Sequence, residues 1–404
     1  MLTAKQTWTG LVLSVALVAS APSQAIVTNH PAAGTAADPH LVDGPVQVDD
    51  LVAFPFHRPS IPTDGIVELY IEKLSTPQMS QCSGAVVDTA EGPAVLTAAH
   101  CIAFGSLRQV KTRLDVFGTP TVFETCHVDD DKGCDIDTYV LIHPQYRFDV
   151  FEGYDLALIY FTTPIPSFGT RRYAVADADL PLDGWHSFVK FGYGCHGNGM
   201  IGVDTEDPSV FDHQLRWAMN SWDSDSLGSY GVTVGGETFS NFHTQLTYDF
   251  DNGTVVDHNL YNFYGNTFDP KTAETVEYVT CFGPCGIQDA EGGSCSGDSG
   301  GPNFIYDEAA GRWVIRAVNS YALRMDDDWN GFHGNSDIDG PSSGAFGRNF
   351  SAGEFGADAL VTPQMLNEIL NDPLSPAAIK QEVDQQGLGS GPVKSRQSSI
   401  GSLR

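Results

Sequence analysis

Basic side chains are scarce in this sequence of 404 residues: 21 lysines and arginines stand against 51 aspartates and glutamates, a formal charge of -30. Electrostatics therefore oppose binding to nucleic acid or to anionic membranes. A cationic substrate is attracted at long range, but salt screening makes net charge a weak guide to specificity. Long apolar runs are also missing. The uncharged run Trp8 to Ala19 is too short to span a bilayer comfortably, and no later segment has the required length. No internal repeat is evident. Cys281 and Cys285 lack a second close cysteine or histidine pair, so disulfides suit them better than a metal. Asp249, Asp251 and Asn252 offer hard oxygen donors, but their spacing does not complete an EF-hand loop. A strand from Leu246 running into a turn is the leading reading there, with calcium the alternative. The same holds for Asp326-Asp327-Asp328 and for Asp337-Ile338-Asp339-Gly340, so no metal or cofactor is expected.

What is present begins with Lys5, the apolar run, and then Ala21-Pro22-Ser23-Gln24-Ala25. That order of charge, apolar stretch and small residues is a secretory signal peptide over residues 1–25. Eight cysteines agree with an oxidising compartment, and the expectation is a secreted, monomeric protein. Residues 26–60 are rich in Ala, Pro, Asp and His and read as a lead-in or short propeptide. From Gly65 onward short apolar runs such as Ile66 to Ile71, Leu156 to Phe161 and Trp313 to Ile315 alternate with Gly, Pro and Asp clusters, the pattern of strands and turns. Thr362-Pro363 is an N-cap and first-turn pair, predicting a helix over 363–371. Residues 372–404, with the basic run Lys394 to Arg404 among Gly and Ser, read as a disordered tail.

Three segments carry chemistry. Gly297-Asp298-Ser299-Gly300-Gly301-Pro302 can set a serine hydroxyl beside backbone N–H groups, but a hydroxyl is a poor nucleophile without a base and an orienting carboxylate. His100 in Leu96-Thr97-Ala98-Ala99-His100-Cys101 is the candidate base. Asp155 in Tyr154-Asp155-Leu156-Ala157-Leu158-Ile159 is the candidate carboxylate. Each segment alone has an ordinary reading as a surface turn, a buried strand end or a strand boundary. Together, in the order His, Asp, Ser, they resemble the signature blocks of the chymotrypsin-fold (trypsin-like) serine proteases. Cys82 to Val87, His143-Pro144-Gln145-Tyr146, Gly192-Tyr193-Gly194 and Trp313 to Ala322 extend the resemblance over most of residues 60 to 371.

The resemblance implies an all-β domain over 61–371 of two six-stranded antiparallel β-barrels with a C-terminal helix, enlarged by an insertion between His196 and Thr280. It implies a Ser-His-Asp triad of Ser299, His100 and Asp155, an oxyanion hole from the N–H groups of Gly297 and Ser299, and protein or peptide substrates. It also implies a Cys82–Cys101 bridge. Cys126 and Cys134 enclose a short acidic loop and can pair locally. Cys195, Cys281, Cys285 and Cys295 allow three connectivities, and Cys295 departs from the family in having no cysteine after it.

Alignment to the family puts Gly293 at the base of a substrate pocket, with Ser294, Ser320, Ala322 and Gly344 around it and Asn319 nearby. This predicts a neutral, fairly open pocket for large apolar or aromatic side chains, with a polar or glutamyl preference as the alternative. Asp298 is expected to pair with a new α-ammonium once a zymogen is cut, either at Ile26 by signal removal or near Leu41. A non-catalytic homologue acting as a binding module, and an exported esterase with the same triad, are the competing functions.

Overall fold

The structure is a computed structural model describing residues 26–28, 39–42, 44–48, 58–73, 79–103, 105–114, 119–124, 138–150, 153–161, 172–178, 180, 187–198, 203, 208–222, 232–234, 237–239, 244–250, 292–323 and 355–371. The signal segment, Cys126, Cys134, Cys281, Cys285, Gly344, the candidate calcium groups Asp251, Asn252, 326–328 and 337–340, and the tail lie outside these residues, as does the side chain of Asp249.

A short strand β1 (Val27–Thr28) comes first. The N-terminal sheet holds β2 (Ile66–Lys73), β3 (Met79–Thr89), β4 (Gly92–Thr97), β5 (Gly105–Leu114), β6 (Thr119–Glu124), β7 (Thr138–Ile142) and β8 (Ala157–Phe161), with the helix α1 (Ala99–Ala103) after β4. Its order is β6-β5-β2-β3-β4-β8-β7, all antiparallel, seven strands where six were expected. After it come β9 (Ser187–Gly192), β10 (Gly197–Asn198), β11 (Arg216–Ser221), β12 (Val232–Val234), β13 (Glu237–Phe239), β14 (Gln245–Asp249), β15 (Gly292–Gly293), β16 (Pro302–Asp307), β17 (Arg312–Leu323) and β18 (Phe355–Leu360). The second sheet has the order β11-β9-β16-β17-β18-β14 and is again antiparallel.

Both sheets are covered on two sides, which explains their continuous apolar runs. In β3 the consecutive residues Ala85, Val86 and Val87 are all buried. Side chains alternate across a strand, so Ala85 and Val87 join Val189, Phe191, Phe304 and Ile315 of the second sheet in one core. Val86 faces Val67, Leu69, Val95 and Ile159 in another. Burying each of the Val, Leu, Ile and Phe side chains among them contributes about 1.5–3 kcal/mol. Helix α2 (Pro363–Leu370) closes the shared core with Leu366 and Ile369. Its start is as the sequence predicts: Pro363 opens the first turn and Thr362 Oγ1 accepts from Met365 N at 3.2 Å. This is the all-β architecture that the resemblance implies.

Two segments differ from expectation. The lead-in is built into the domain, because Val42, Val46 and Val48 are core residues and Val46 exchanges backbone hydrogen bonds with Ile61. The stretch read as an insertion supplies two strands of the second sheet, β11 beside β9 and β14 beside β18. Their alternating buried residues, Trp217 and Met219, then Leu246 and Tyr248, belong to the core.

Candidate active site

Strand register brings the base and the carboxylate together. In the β4–β8 ladder Thr97 lies opposite Ala157. The residues just after β4 and just before β8 therefore share one end of the sheet, and these are His100 and Asp155. The imidazole Nδ1 lies 2.6 Å from Asp155 Oδ2, and the His100 backbone N–H donates to Oδ1 at 2.8 Å. Ser320, at the register irregularity of β17, donates its hydroxyl proton to Oδ2 at 2.5 Å. Asp155 is fully buried. Burial alone pushes its carboxyl up, but the His100 ring and the hydrogen bonds from His100 and Ser320 outweigh this and hold it below the usual range.

The nucleophile turn is fastened to the same place. Ser83 on β3 donates from its backbone to Ser299 O at 2.8 Å and from its hydroxyl to Gly297 O at 2.8 Å. Gly300 sits at φ +82°, and a Cβ there would overlap Thr97 and the Ala98 backbone, two residues from the base. Gly297 sits at φ +114° against Gly194, so the Gly-Tyr-Gly turn and the nucleophile turn touch backbone to backbone. Cys82 and Cys101 are bonded. Cys101 Sγ lies 3.9 Å from His100 Nε2 and 3.6 Å from Ser299 O, so base and nucleophile backbone flank one disulfide. The grouping of Cys82, His100 and Cys101 offers no metal site, because both thiols are consumed in that bond.

Cys295 does find an upstream partner, Cys195, which ties the Gly-Tyr-Gly turn to the nucleophile segment. Between these anchors β1 pairs with β10 on one side and β15 on the other, Val27 lying opposite both Gly197 and Gly293, and Ile26 is buried. Asp298 is fully buried as well. Burial pushes its carboxyl well above the usual range, offset in part by Lys190, the Gly194 N–H and Arg216. By contrast Leu41 forms an antiparallel bridge with Arg216, and Val42 N donates to Leu215 O.

Of the residues expected around the substrate pocket, Gly293 lies in β15 against Phe250, and Gly344 lies outside the described residues. Opposite Ala322 stands Gly356, and a Cβ on Gly356 would overlap the Tyr248 ring. Ser320 is committed to Asp155. Ser294 Oγ lies 2.7 Å from the ammonium of Lys190, 2.8 Å from Tyr248 Oη and 3.3 Å from Asn319 Oδ1. Lys190 also donates to Tyr248 Oη. Lys190 and Tyr248 were not anticipated. The signal was a lone lysine inside the apolar run Phe188-Val189-Lys190-Phe191, which puts a charge inside a strand.

Two sheets meeting at a buried imidazole–carboxylate pair, with a glycine-framed serine turn beside it, define the chymotrypsin-like class of folds. Residues 63–207 match the family model described as trypsin, which supports a chymotrypsin-fold domain of the trypsin-like serine protease family. The matched stretch includes His100 and Asp155 and ends before Ser299. A search of curated proteins found no match. Among the described residues no helix is long and apolar enough to cross a membrane.

Proposed function

We propose that this chain is an exported serine endopeptidase using Ser299, His100 and Asp155. The observation that carries the reading is the doubly bonded His100–Asp155 pair with the Ser299 turn fastened beside it. Nδ1–H donates to Asp155, which fixes the tautomer that leaves Nε2 free to take a proton. His100 removes the Ser299 hydroxyl proton as the oxygen attacks a peptide carbonyl. It then gives that proton to the leaving amine, and water repeats the sequence to release the acyl group. The N–H groups of Gly297 and Ser299 donate to the developing oxyanion, each worth about 3 kcal/mol of transition-state stabilisation.

The α-ammonium that neutralises Asp298 comes from Ile26. Ile26 is buried at the head of β1, in register with the segments that hold both cysteines of the Cys195–Cys295 bridge. The alternative terminus at Leu41 is disfavoured, because Leu41 and Val42 are already paired with β11 and its approach. Signal removal before Ile26 is thus the activating cut, and export and activation coincide. The two disulfides suit the oxidising compartment that this route requires.

Purified protein beginning at Ile26 hydrolyses an unfolded protein substrate, and the Ser299→Ala variant loses that activity on the order of 10⁴-fold or more. Equal hydrolysis by both, or none by either, contradicts the proposal.

A further inference from the structure

The segment His143-Pro144-Gln145-Tyr146 belongs to the family resemblance but has no part in the proton transfers of the triad. It sits beside the orienting carboxylate. In the β7–β8 ladder Ile142 lies opposite Ala157, so the residue after β7 meets the residues before β8 at the end of the sheet that carries Asp155. His143 there grips both neighbours of Asp155. Its backbone N–H donates to Leu156 O at 2.9 Å, and its ring stacks on that of Tyr154, with centroids 4.7 Å apart and planes inclined by 24°.

Tyr154 requires such a hold. Its φ is +56°, a left-handed conformation that a bulky side chain rarely adopts and that persists only where the surroundings over-determine it. Two contacts of Tyr154 serve this end: the His143 ring, and the Thr244 hydroxyl, which accepts from the Tyr154 N–H at 3.3 Å. The Tyr154 carbonyl in turn accepts from Leu156 N at 2.7 Å, closing a three-residue turn around Asp155. The direction in which Asp155 leaves the backbone is thus set by the turn, and the turn by the conformation of Tyr154.

The His143 ring is itself fixed in rotation. Its side chain is buried, and Nδ1 accepts from the Gln145 N–H at 3.2 Å, so the ring proton lies on Nε2. Nε2 faces Glu368 Oε2 of helix α2 at 3.4 Å, an ion-pair distance that is long for a hydrogen bond. Burial pushes the His143 imidazole below its usual pKa, with Glu368 offsetting this in part, and the neutral ring keeps Nδ1 as an acceptor.

We propose that His143 is a positioning residue for the triad: through the stacked Tyr154 it holds the turn that aims Asp155 at His100. This rests on the protease reading above. Displacing a catalytic group by about 1 Å costs on the order of 10²-fold in rate. Because the His143 side chain is buried and away from bound peptide, its loss is felt in the chemical step and not in substrate binding.

The test uses protein beginning at Ile26 and a peptide that the unaltered protein cleaves. In His143→Ala kcat is expected to fall about tenfold or more while KM stays within about twofold, the split that follows when an interaction serves only the transition state. His143→Phe restores a ring to stack on Tyr154, leaves the exposed Gln145 and the partly exposed Glu368 to water, and recovers most of the loss. A second readout needs no turnover. The proton on His100 Nδ1, facing Asp155 Oδ2 at 2.6 Å, gives a far-downfield proton NMR resonance. That resonance is expected to shift or disappear in His143→Ala and to return in His143→Phe. Thermal unfolding reports whether each variant has folded. If His143→Ala does not fold, Tyr154→Gly takes its place, since glycine accepts the left-handed backbone without strain but cannot stack, and it is expected to lose kcat in the same way. An unaltered kcat and resonance in a folded variant, a change in KM alone, or Phe as damaging as Ala overturns the inference. Absence of fluorophosphonate labelling at Ser299 in the unaltered protein overturns the protease reading instead, and the resonance then decides the positioning role.

Discussion

The Ser320 hydroxyl donates to Oδ2 of Asp155 at 2.5 Å, the same oxygen that faces His100 Nδ1 at 2.6 Å. Asp155 is thus held from the second sheet as well as from the first, and the site depends on the packing of the two. Ser320→Ala removes one of the interactions holding the carboxyl low, so the Asp155 pKa rises. A hydrogen bond to a charged group is worth about 1.5–3 kcal/mol. The variant is expected to lose about tenfold or more in kcat/KM, and an unchanged kcat/KM contradicts this role.

Asp155→Asn preserves shape but reverses the tautomer preference of His100, because an amide N–H in place of Oδ2 can no longer accept from Nδ1–H. Peptidase activity is expected to fall on the order of 10⁴-fold, measured as kcat at neutral pH. Stability has its own pH dependence. The folded carboxyl lies below its unfolded value, so Asp155 contributes stability above the unfolded value that is lost as pH falls through the folded one. The variant's Tm should therefore depend less on pH in the acid range than that of the unaltered protein.

Asp298 behaves in the opposite sense. Its folded carboxyl is held well above the usual range in the uncut chain. Its contribution is therefore favourable below the unfolded value and is lost as pH rises toward the folded one. Asp298→Asn should raise the Tm of the uncut protein at pH 7 by about a few °C. In protein cut before Ile26 the same substitution should instead lower peptidase activity, because the α-ammonium loses its partner. The same sign of effect in both forms contradicts the Ile26–Asp298 pairing.

Gly300→Ala places a Cβ into Thr97 and Ala98 from a left-handed backbone. The strain should cost more than about 1 kcal/mol, read as a lower midpoint in urea, together with loss of labelling at Ser299. An unaltered midpoint would mean that the turn is not anchored on the His100 segment.

Cys195 and Cys295 close a loop with a sequence separation of 100. Replacing both by alanine should cost about 2–5 kcal/mol, seen in the thermal unfolding midpoint.

Motif segments and caps were legible in the sequence because their chemistry is local. Thr362-Pro363 specifies its helix start through hydrogen bonds within one turn. The Gly297 to Pro302 segment announces a nucleophile turn by glycines that the close approaches to Gly194 and Thr97 require. What escaped depends on long-range register. Gly356 faces Ala322 because β17 and β18 pair across a connection whose length cannot reveal the pairing. Tyr248 reaches Ser294 because β14 is the edge neighbour of β18, although its stretch reads as an insertion. The Cys195–Cys295 bond was one of three open pairings. Spacing does not choose among them, whereas the contact of the Gly-Tyr-Gly turn with the nucleophile turn does.

The central claim is that Ser299 is a nucleophile activated by His100 once the chain begins at Ile26. Mass-spectrometric mapping of a fluorophosphonate adduct tests it most directly. The account predicts one adduct, on Ser299, in protein cut before Ile26, with much slower labelling in the uncut chain and in His100→Ala. Absence of an adduct on Ser299 in the cut protein, or equal labelling with and without His100, contradicts it.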